Sequence, residues 1–430
     1  MRVGLVGFGT IGTGVARAFA SHGDSIAERL GFRLQLARIA DIDLERDRGV
    51  SLAGIQTSRD WRDIVNDPEI DLVVETIGGT RVAKDVVLAA LDAGKYVVTA
   101  NKALLATHGR EIYALAASKQ SAIAFEASVG GTIPVLRALR EGLCADRVMS
   151  LHGIVNGTCN YILTQMEATG ESYESCLKRA QDLGYAEPDP SFDVDGIDSA
   201  HKLAILVGLA FGAHVSPESL AIDGIRRIVP ADIEYATRIG LRIKLLAVAK
   251  RTASGIEARV HPTMIPRDSV LARVDGSMNA IEVRGELSGP TLYYGAGAGA
   301  LPTASAVLSD LMELARARRH GVPTRVPPLG TPDPRDAILC QPGDSRGEYY
   351  VRFTALDKPG VLSKITGALG QRGISIASVL QEERHESRGV PIVLTIHEAR
   401  QADLDAALAE IERLPEVVAK AQKIRIEREL

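Results

Sequence analysis

Six residues near the start of the chain constrain its fold more than anything that follows. Val3-Gly4-Leu5-Val6 reads as a short buried strand, and Gly7-Phe8-Gly9-Thr10-Ile11-Gly12 follows at once, opening a helical stretch over Thr10–Leu30. Glycines in a G-x-G-x-x-G turn permit a tight bend, close approach of a pyrophosphate and close helix–strand packing. The helix N-terminus adds positive potential. In this strand–turn–helix setting the motif points to dinucleotide binding, and the competing reading is a plain glycine turn. The rest of the first third repeats the unit. Apolar runs at 34–40, 71–76, 96–99 and 123–126 alternate with helical periods at 82–93 and 104–119. Such alternation means an α/β chain with a parallel, doubly wound sheet of the Rossmann type.

The second strand ends at Asp41, and an acid there favours a free ribose 2′-hydroxyl, hence NAD. Arg38, Arg46 and Arg48 are near enough in sequence to accept a 2′-phosphate, hence NADP, so both cofactors stay open. Composition sets outer limits. The 430 residues carry 50 basic and 54 acidic side chains, a net charge of −4, and are 46% hydrophobic. That is material for two to four cores, without the basic surface nucleic acid requires. No apolar run approaches the ~20 residues that span a bilayer. The N-terminal residues lack a signal-peptide pattern. The cysteines, Cys144, Cys159, Cys176 and Cys340, form no C-x-x-C pair. The expectation is a cytoplasmic protein with neither membrane nor nucleic-acid partner.

Two later clusters carry chemistry. Thr99-Ala100-Asn101-Lys102 closes a strand, where open parallel sheets place their ligands. The run Gly184 to Lys202, G-Y-A-E-P-D-P-S-F-D-V-D-G-I-D-S-A-H-K, gathers Glu187, Asp189, Asp193, Asp195 and Asp198 before an apolar helix at 203–211. Asp198 and Lys202 are four apart, so they share a helix face and can pair. A calcium loop is excluded: setting Gly196 sixth puts Ser191 first and Lys202 twelfth. Cys159 offers the rival chemistry of a thiol nucleophile, but no histidine nearby in sequence is an obvious partner, so it reads as a packing residue.

Taken in order, G-F-G-T-I-G, T-A-N-K-A-L-L-A, F-E-A-S-V-G-G-T-I-P, G-I-V-N-G-T-C-N-Y-I-L and G-Y-A-E-P-D-P-S-F-D-V-D-G-I-D-S-A-H-K-L closely resemble homoserine dehydrogenase over roughly residues 1–325. The resemblance implies NADP- or NAD-dependent interconversion of L-aspartate 4-semialdehyde and L-homoserine, on the route to threonine, isoleucine and methionine. It implies Lys202 and Lys102 as cations at the reacting oxygen and Asp198 as the residue orienting Lys202. The substrate would be held by Glu187, Asp193, Asp198 and Lys202. Cofactor contacts would come from Gly7, Phe8, Gly9, Thr10, Ile11, Gly12, Asp41, Lys102, Gly184 and Gly297, the last in a second glycine loop. It also implies a monovalent cation, sodium or potassium, on Glu126 and the main-chain carbonyls of Val129, Gly131 and Ile133.

Prolines crowd the stretch after Arg316 and rule out helix or sheet interior, so 323–347 reads as a linker. Beyond it strands at 348–355, 374–380, 391–397 and 417–426, with a helix after Ile365 to about Arg372 and another at 402–414, give the β-α-β-β-α-β order of a ferredoxin-like unit. D-K-P-G-V-L followed by R-G-I-S-I resembles an ACT regulatory domain. That resemblance implies an amino-acid effector, threonine, near Gly360, Gly373, Ile374 and Ser375. The expected organisation is a dinucleotide-binding domain at 1–133 plus about 300–322, and an α+β substrate and dimerisation domain at 134–299. The linker and an ACT domain at 348–430 complete it, in a homodimer or homotetramer. The rival from another class is an amino-acid sensor on an inactive dehydrogenase body. Every motif position is filled, which favours the enzyme.

Overall fold

In the computed structural model, which describes residues 1–322, 326–332, 334–381 and 389–430, the apolar runs of the first third form one parallel sheet. Its strands are β1 (Arg2–Val6), β2 (Gln35–Ala40), β3 (Gln56–Ser58), β4 (Leu72–Glu75), β5 (Tyr96–Thr99) and β6 (Ile123–Ala124), in the order β3-β2-β1-β4-β5-β6. From β1 the chain winds outward through β2 and β3, then returns to lay β4 on the other flank. The crevice at that reversal is where open sheets bind ligands. Strand β3 is absent from the sequence reading because Gln-Thr-Ser offers no apolar residue to mark it. Helices Thr10–Leu30, Arg81–Asp92 and Lys102–Ser118 connect the strands.

This sheet belongs to a compact unit made of Met1–Met149, His201–Ser219 and Met278–Ala337. On one face Val3, Leu5, Leu36, Leu72, Val74 and Val98 pack against Val15 and Phe19 of the first helix and Val307, Leu311 and Leu314 of the helix Ala300–Arg319. Each fully buried side chain of this kind contributes about 1.5–3 kcal/mol of transfer free energy. A late helix thus completes the core of the first strands. Gly14 makes this possible, since a Cβ there would stand 2.5 Å from the Ala300 carbonyl oxygen.

A second unit comprises Ser150–Ala200, Leu220–Ser277 and Ile338–Leu430. Its main strands belong to a ten-stranded sheet and run, in order, Val148–Ile154, Leu241–Thr252, Gly255–Pro266, Val417–Ile426, Arg346–Leu356, Gly389–Arg400 and Ile376–Leu380. The last four strands, with helices Val361–Gly370 and Gln401–Ile411, follow the ferredoxin-like order. They do not form a separate sheet. Val417–Ile426 pairs in parallel with Gly255–Pro266 at Thr263–Arg425 and Met264–Ile426, and the Glu427 amide donates to the Met264 carbonyl at 3.0 Å.

Two ionic clusters pin that seam. Asp232, fully buried in the first turn of the helix Pro230–Arg238, accepts from Arg352 Nε at 2.6 Å and from the Tyr350 hydroxyl at 2.9 Å. Glu427 meets Lys250 at 2.5 Å, Arg259 at 2.6 Å and Arg425 at 3.2 Å. Burial opposes ionisation of Glu427, but the three cations prevail and hold its carboxyl down at about 2.

The linker stretch also makes defined pairings among its described residues. Arg335–Asp336 pairs with Ala213–His214, and Leu339 bridges to Ile256. Residues 323–325 and 333 of that stretch lie outside the described residues. Among the described residues no helix is long and apolar enough to cross a membrane.

Candidate active site

At the first glycine turn the geometry follows the motif. Gly7 has φ +97°, and a Cβ there would stand 2.6 Å from the Thr76 carbonyl carbon. A Cβ on Gly12 would stand 2.0 Å from the Gly7 oxygen. The first turn of Thr10–Leu30 carries no acid, so its positive end is not offset. Asp41 at the end of β2 accepts the Phe8 amide at 2.5 Å and the Asp43 amide at 2.8 Å. The three candidate arginines separate. Arg38 is held by Gln56, the Asp63 carbonyl and Asp67. The Arg48 guanidinium lies 5.0 Å from the centre of the Phe8 ring and 3.9 Å from Asp41. Arg46 is exposed, and its amide donates to the Asp43 carboxylate at 3.3 Å.

The T-A-N-K segment is built on a residue the motif reading passed over. Glu75, fully buried at the end of β4, accepts from the Thr99 hydroxyl at 2.6 Å and the Ile77 amide at 2.8 Å. Burial pushes its carboxyl up, and these donors partly offset the rise. Thr99 in turn accepts the Asn101 amide at 3.0 Å, and Asn101 caps Lys102–Ser118 by accepting from Leu104. The capped helix starts two residues earlier than its periodicity predicts and puts Lys102, half-buried, at its first position.

The two glycine-rich turns of this unit meet. A Cβ on Gly131 would stand 2.7 Å from the Gly297 carbonyl carbon, and the Thr132 amide donates to the Ala296 carbonyl at 3.4 Å. The Glu126 carboxylate accepts the amides of Leu136 and Arg137 at 2.9 and 2.8 Å, and the Ile133 carbonyl accepts the Val135 amide at 2.8 Å. Beneath them Asp310, buried on Ala300–Arg319, accepts the Glu126 amide at 2.8 Å.

In the second unit the acidic run is folded around one amide. The helix Ile197–Phe211 begins six residues before its apolar stretch, with Asp198 in its first turn; Lys202, one turn later on the same helix, already belongs to the first unit. An acid in a first turn is stabilised by the helix dipole. Asp198 is buried, and Asn156 donates to it at 2.8 Å and to Asp193 at 2.7 Å. Nothing local in the sequence marks Asn156 for this role. Its signal was an Asn closing a strand and opening a helix, which reads as an ordinary cap. Cys159 is fully buried and its thiol lies 3.3 Å from the Asp193 carbonyl oxygen, which is the position of a packing residue. Glu187 and Gly184 are exposed on the loop before these acids, with Gly184 at φ +77°. Asp195 is taken by Arg226 at 2.5 Å.

In the C-terminal strands Gly360 lies in a cleft of about 650 Å³ with Asp357, Lys358, Gln381 and Ile392. Gly373 and Ile374 form the turn after Val361–Gly370, with Ile374 buried, and the Ser375 carbonyl accepts the His397 amide at 2.9 Å.

Three family models match the chain. Residues 7–126 match the homoserine dehydrogenase NAD-binding domain, 134–312 match homoserine dehydrogenase itself, and 349–416 match the ACT domain. The homoserine dehydrogenase of Pseudomonas aeruginosa is 45% identical over 99% of this chain and 99% of its own. The chain belongs to the homoserine dehydrogenase family. A solved homoserine dehydrogenase from Thiobacillus denitrificans superposes with a TM-score of 0.94 at 44% identity, covering 100% of this chain and 98% of that one. A hyperthermophilic archaeal homoserine dehydrogenase in complex with NADPH is 25% identical with a TM-score of 0.62, covering 73% of this chain and 97% of that one. The enzyme is thus an NAD(P)-dependent oxidoreductase, a mixed α/β fold carrying an ACT domain at its C-terminus.

Proposed function

We propose that this homoserine dehydrogenase reduces L-aspartate 4-semialdehyde reversibly to L-homoserine at the side chains named above, for threonine, methionine and isoleucine synthesis in the cytoplasm. The observation that best supports these roles is the buried Asp198 in a first helical turn with Lys202 one turn further on. In the reduction, the nicotinamide supplies the hydride when bound. The carbonyl oxygen gains negative charge as the carbon accepts that hydride, so a cationic donor both stabilises the charge and delivers the proton. Lys202 and Lys102 take that part, and Asp198 orients Lys202. Glu187 and Asp193 hold the substrate's polar groups with Asp198 and Lys202.

Gly7, Phe8, Gly9, Thr10, Ile11, Gly12 and Asp41 would hold the dinucleotide, and Lys102, Gly184 and Gly297 are the residues assigned to its nicotinamide. NADP and NAD are both accepted in this reading: Asp41 would suit a free ribose 2′-hydroxyl and Arg48 a 2′-phosphate. A monovalent cation, sodium or potassium, fits the turn after Glu126. Each carboxylate oxygen of Glu126 accepts one amide and keeps a lone pair for a hard ion. The main-chain carbonyls of Val129, Gly131 and Ile133 complete the set, and the ion would offset the burial that pushes the Glu126 carboxyl up. Threonine is the proposed effector, taken at the cleft beside Gly360 and near Gly373, Ile374 and Ser375, in a homodimer or homotetramer.

The test is nicotinamide absorbance with L-aspartate 4-semialdehyde, run with NADPH and NADH, each with and without L-threonine. Consumption that Lys202→Ala lowers by ~10²-fold or more, with cofactor binding retained, is the expected result. Full activity in that variant sinks the assignment, and indifference to threonine sinks the effector.

A further inference from the structure

We infer that Asn156 is a positioning residue of this site, its one amide holding the Asp193 and Asp198 carboxylates together and so fixing the direction in which Asp198 presents its oxygens. The inference rests on the role proposed for Asp198. Asn156 lies two residues beyond the strand Val148–Ile154 and caps the helix Gly157–Thr169. It is 5% exposed. Its Oδ1 accepts the Cys159 amide at 2.8 Å. Its two N–H groups then go to carboxylates 37 and 42 residues further along the chain. The amide cannot be reversed, because Oδ1 would then face two acceptors and the amino group would face a backbone donor.

The residue type matters as much as its place. Two carboxylates drawn to one point repel each other, and a lysine or arginine between them would relieve this by cancelling their charge. An amide does something different. It donates to both without adding charge of its own, so the two carboxylates are oriented and this contact neutralises neither. Aspartate at 156 would still cap the helix, but it would turn an acceptor toward two acceptors. Serine would also cap and would carry no charge, yet it is too short to reach both acids. These two variants therefore separate capping from positioning.

The experiment is a double-mutant cycle in the full chain, with steady-state homoserine oxidation, thermal melting and cofactor binding measured on each protein. The set is wild type, Asn156→Ser, Asn156→Asp, Asp198→Asn and Asn156→Ser combined with Asp198→Asn. Asn156→Ser is expected to melt near wild type and bind cofactor normally while kcat falls ~10²-fold, as misplacement by about an ångström does. Asn156→Asp should fall at least as far. In the Asp198→Asn background the serine substitution should cost almost nothing more, because the two act as one unit. Independent, additive losses would overturn the inference, as would wild-type kcat in Asn156→Ser. If Asp198→Asn alone keeps wild-type kcat, it is the assignment of Asp198 that fails.

Discussion

Two buried aspartates in the same unit show how differently a fold can use an acid. Asp232 is matched by a cation, with Arg352 at 2.6 Å and the Tyr350 hydroxyl at 2.9 Å. Asp198 is gathered with a second acid, Asp193, onto the neutral amide of Asn156. The first arrangement satisfies charge and joins the C-terminal strands to the helix Pro230–Arg238. The second brings two carboxylates onto one neutral amide, an arrangement of the kind found at functional sites. An acid's partners, rather than its burial, tell structure from function.

The sharpest way to break this contrast is to remove each acid in turn. Asp198→Ala is expected to lower kcat/KM by ~10²–10⁴-fold with a melting temperature close to wild type, measured by steady-state kinetics beside calorimetry. A large loss of stability with activity retained would reverse the assignment. Asp232→Ala is expected to do the opposite. It leaves the largely buried Arg352 beside a tyrosine without its counter-charge, a class of change that costs up to roughly 3–5 kcal/mol when the charge is fully buried. Denaturant unfolding should show that loss, and a neutral result would mean the seam is not held by this pair.

A smaller effect comes from pH. At the seam burial, then the neighbouring Arg259, depress the His261 imidazole to about 3. The folded value lies below the unfolded one, so the stability this residue contributes is complete above the unfolded value. It is lost as pH falls from about 6.5 toward about 3. Glu427, depressed to about 2, loses its contribution at lower pH, as pH falls from about 4.5 toward about 2. Melting temperature should therefore decline between about pH 6.5 and 4 in the wild type and decline less in His261→Gln. Parallel curves would show that the histidine is not buried neutral at the seam.

What could be read in advance follows the same division. The five apolar strands of the parallel sheet and the βαββαβ tail were legible because each is a local pattern of alternation or helical period. The short β3 was not, since its side chains are polar and its pairing alone makes it a strand. The proline-rich stretch reads as a linker because prolines forbid regular interior structure, but its pairings at Arg335–Asp336 and Leu339 depend on residues far away in sequence.

By itself the sequence determined the dinucleotide turn, the order of the motifs and the residue types available to the chemistry, because glycine spacing and charge placement act over a few residues. Only the tertiary structure decided that Glu75 underlies Thr99, that Asn156 gathers Asp193 and Asp198, and that Asp232 meets Arg352 from 120 residues away. Such partners are chosen by chain closure over long distances, and no local pattern records them.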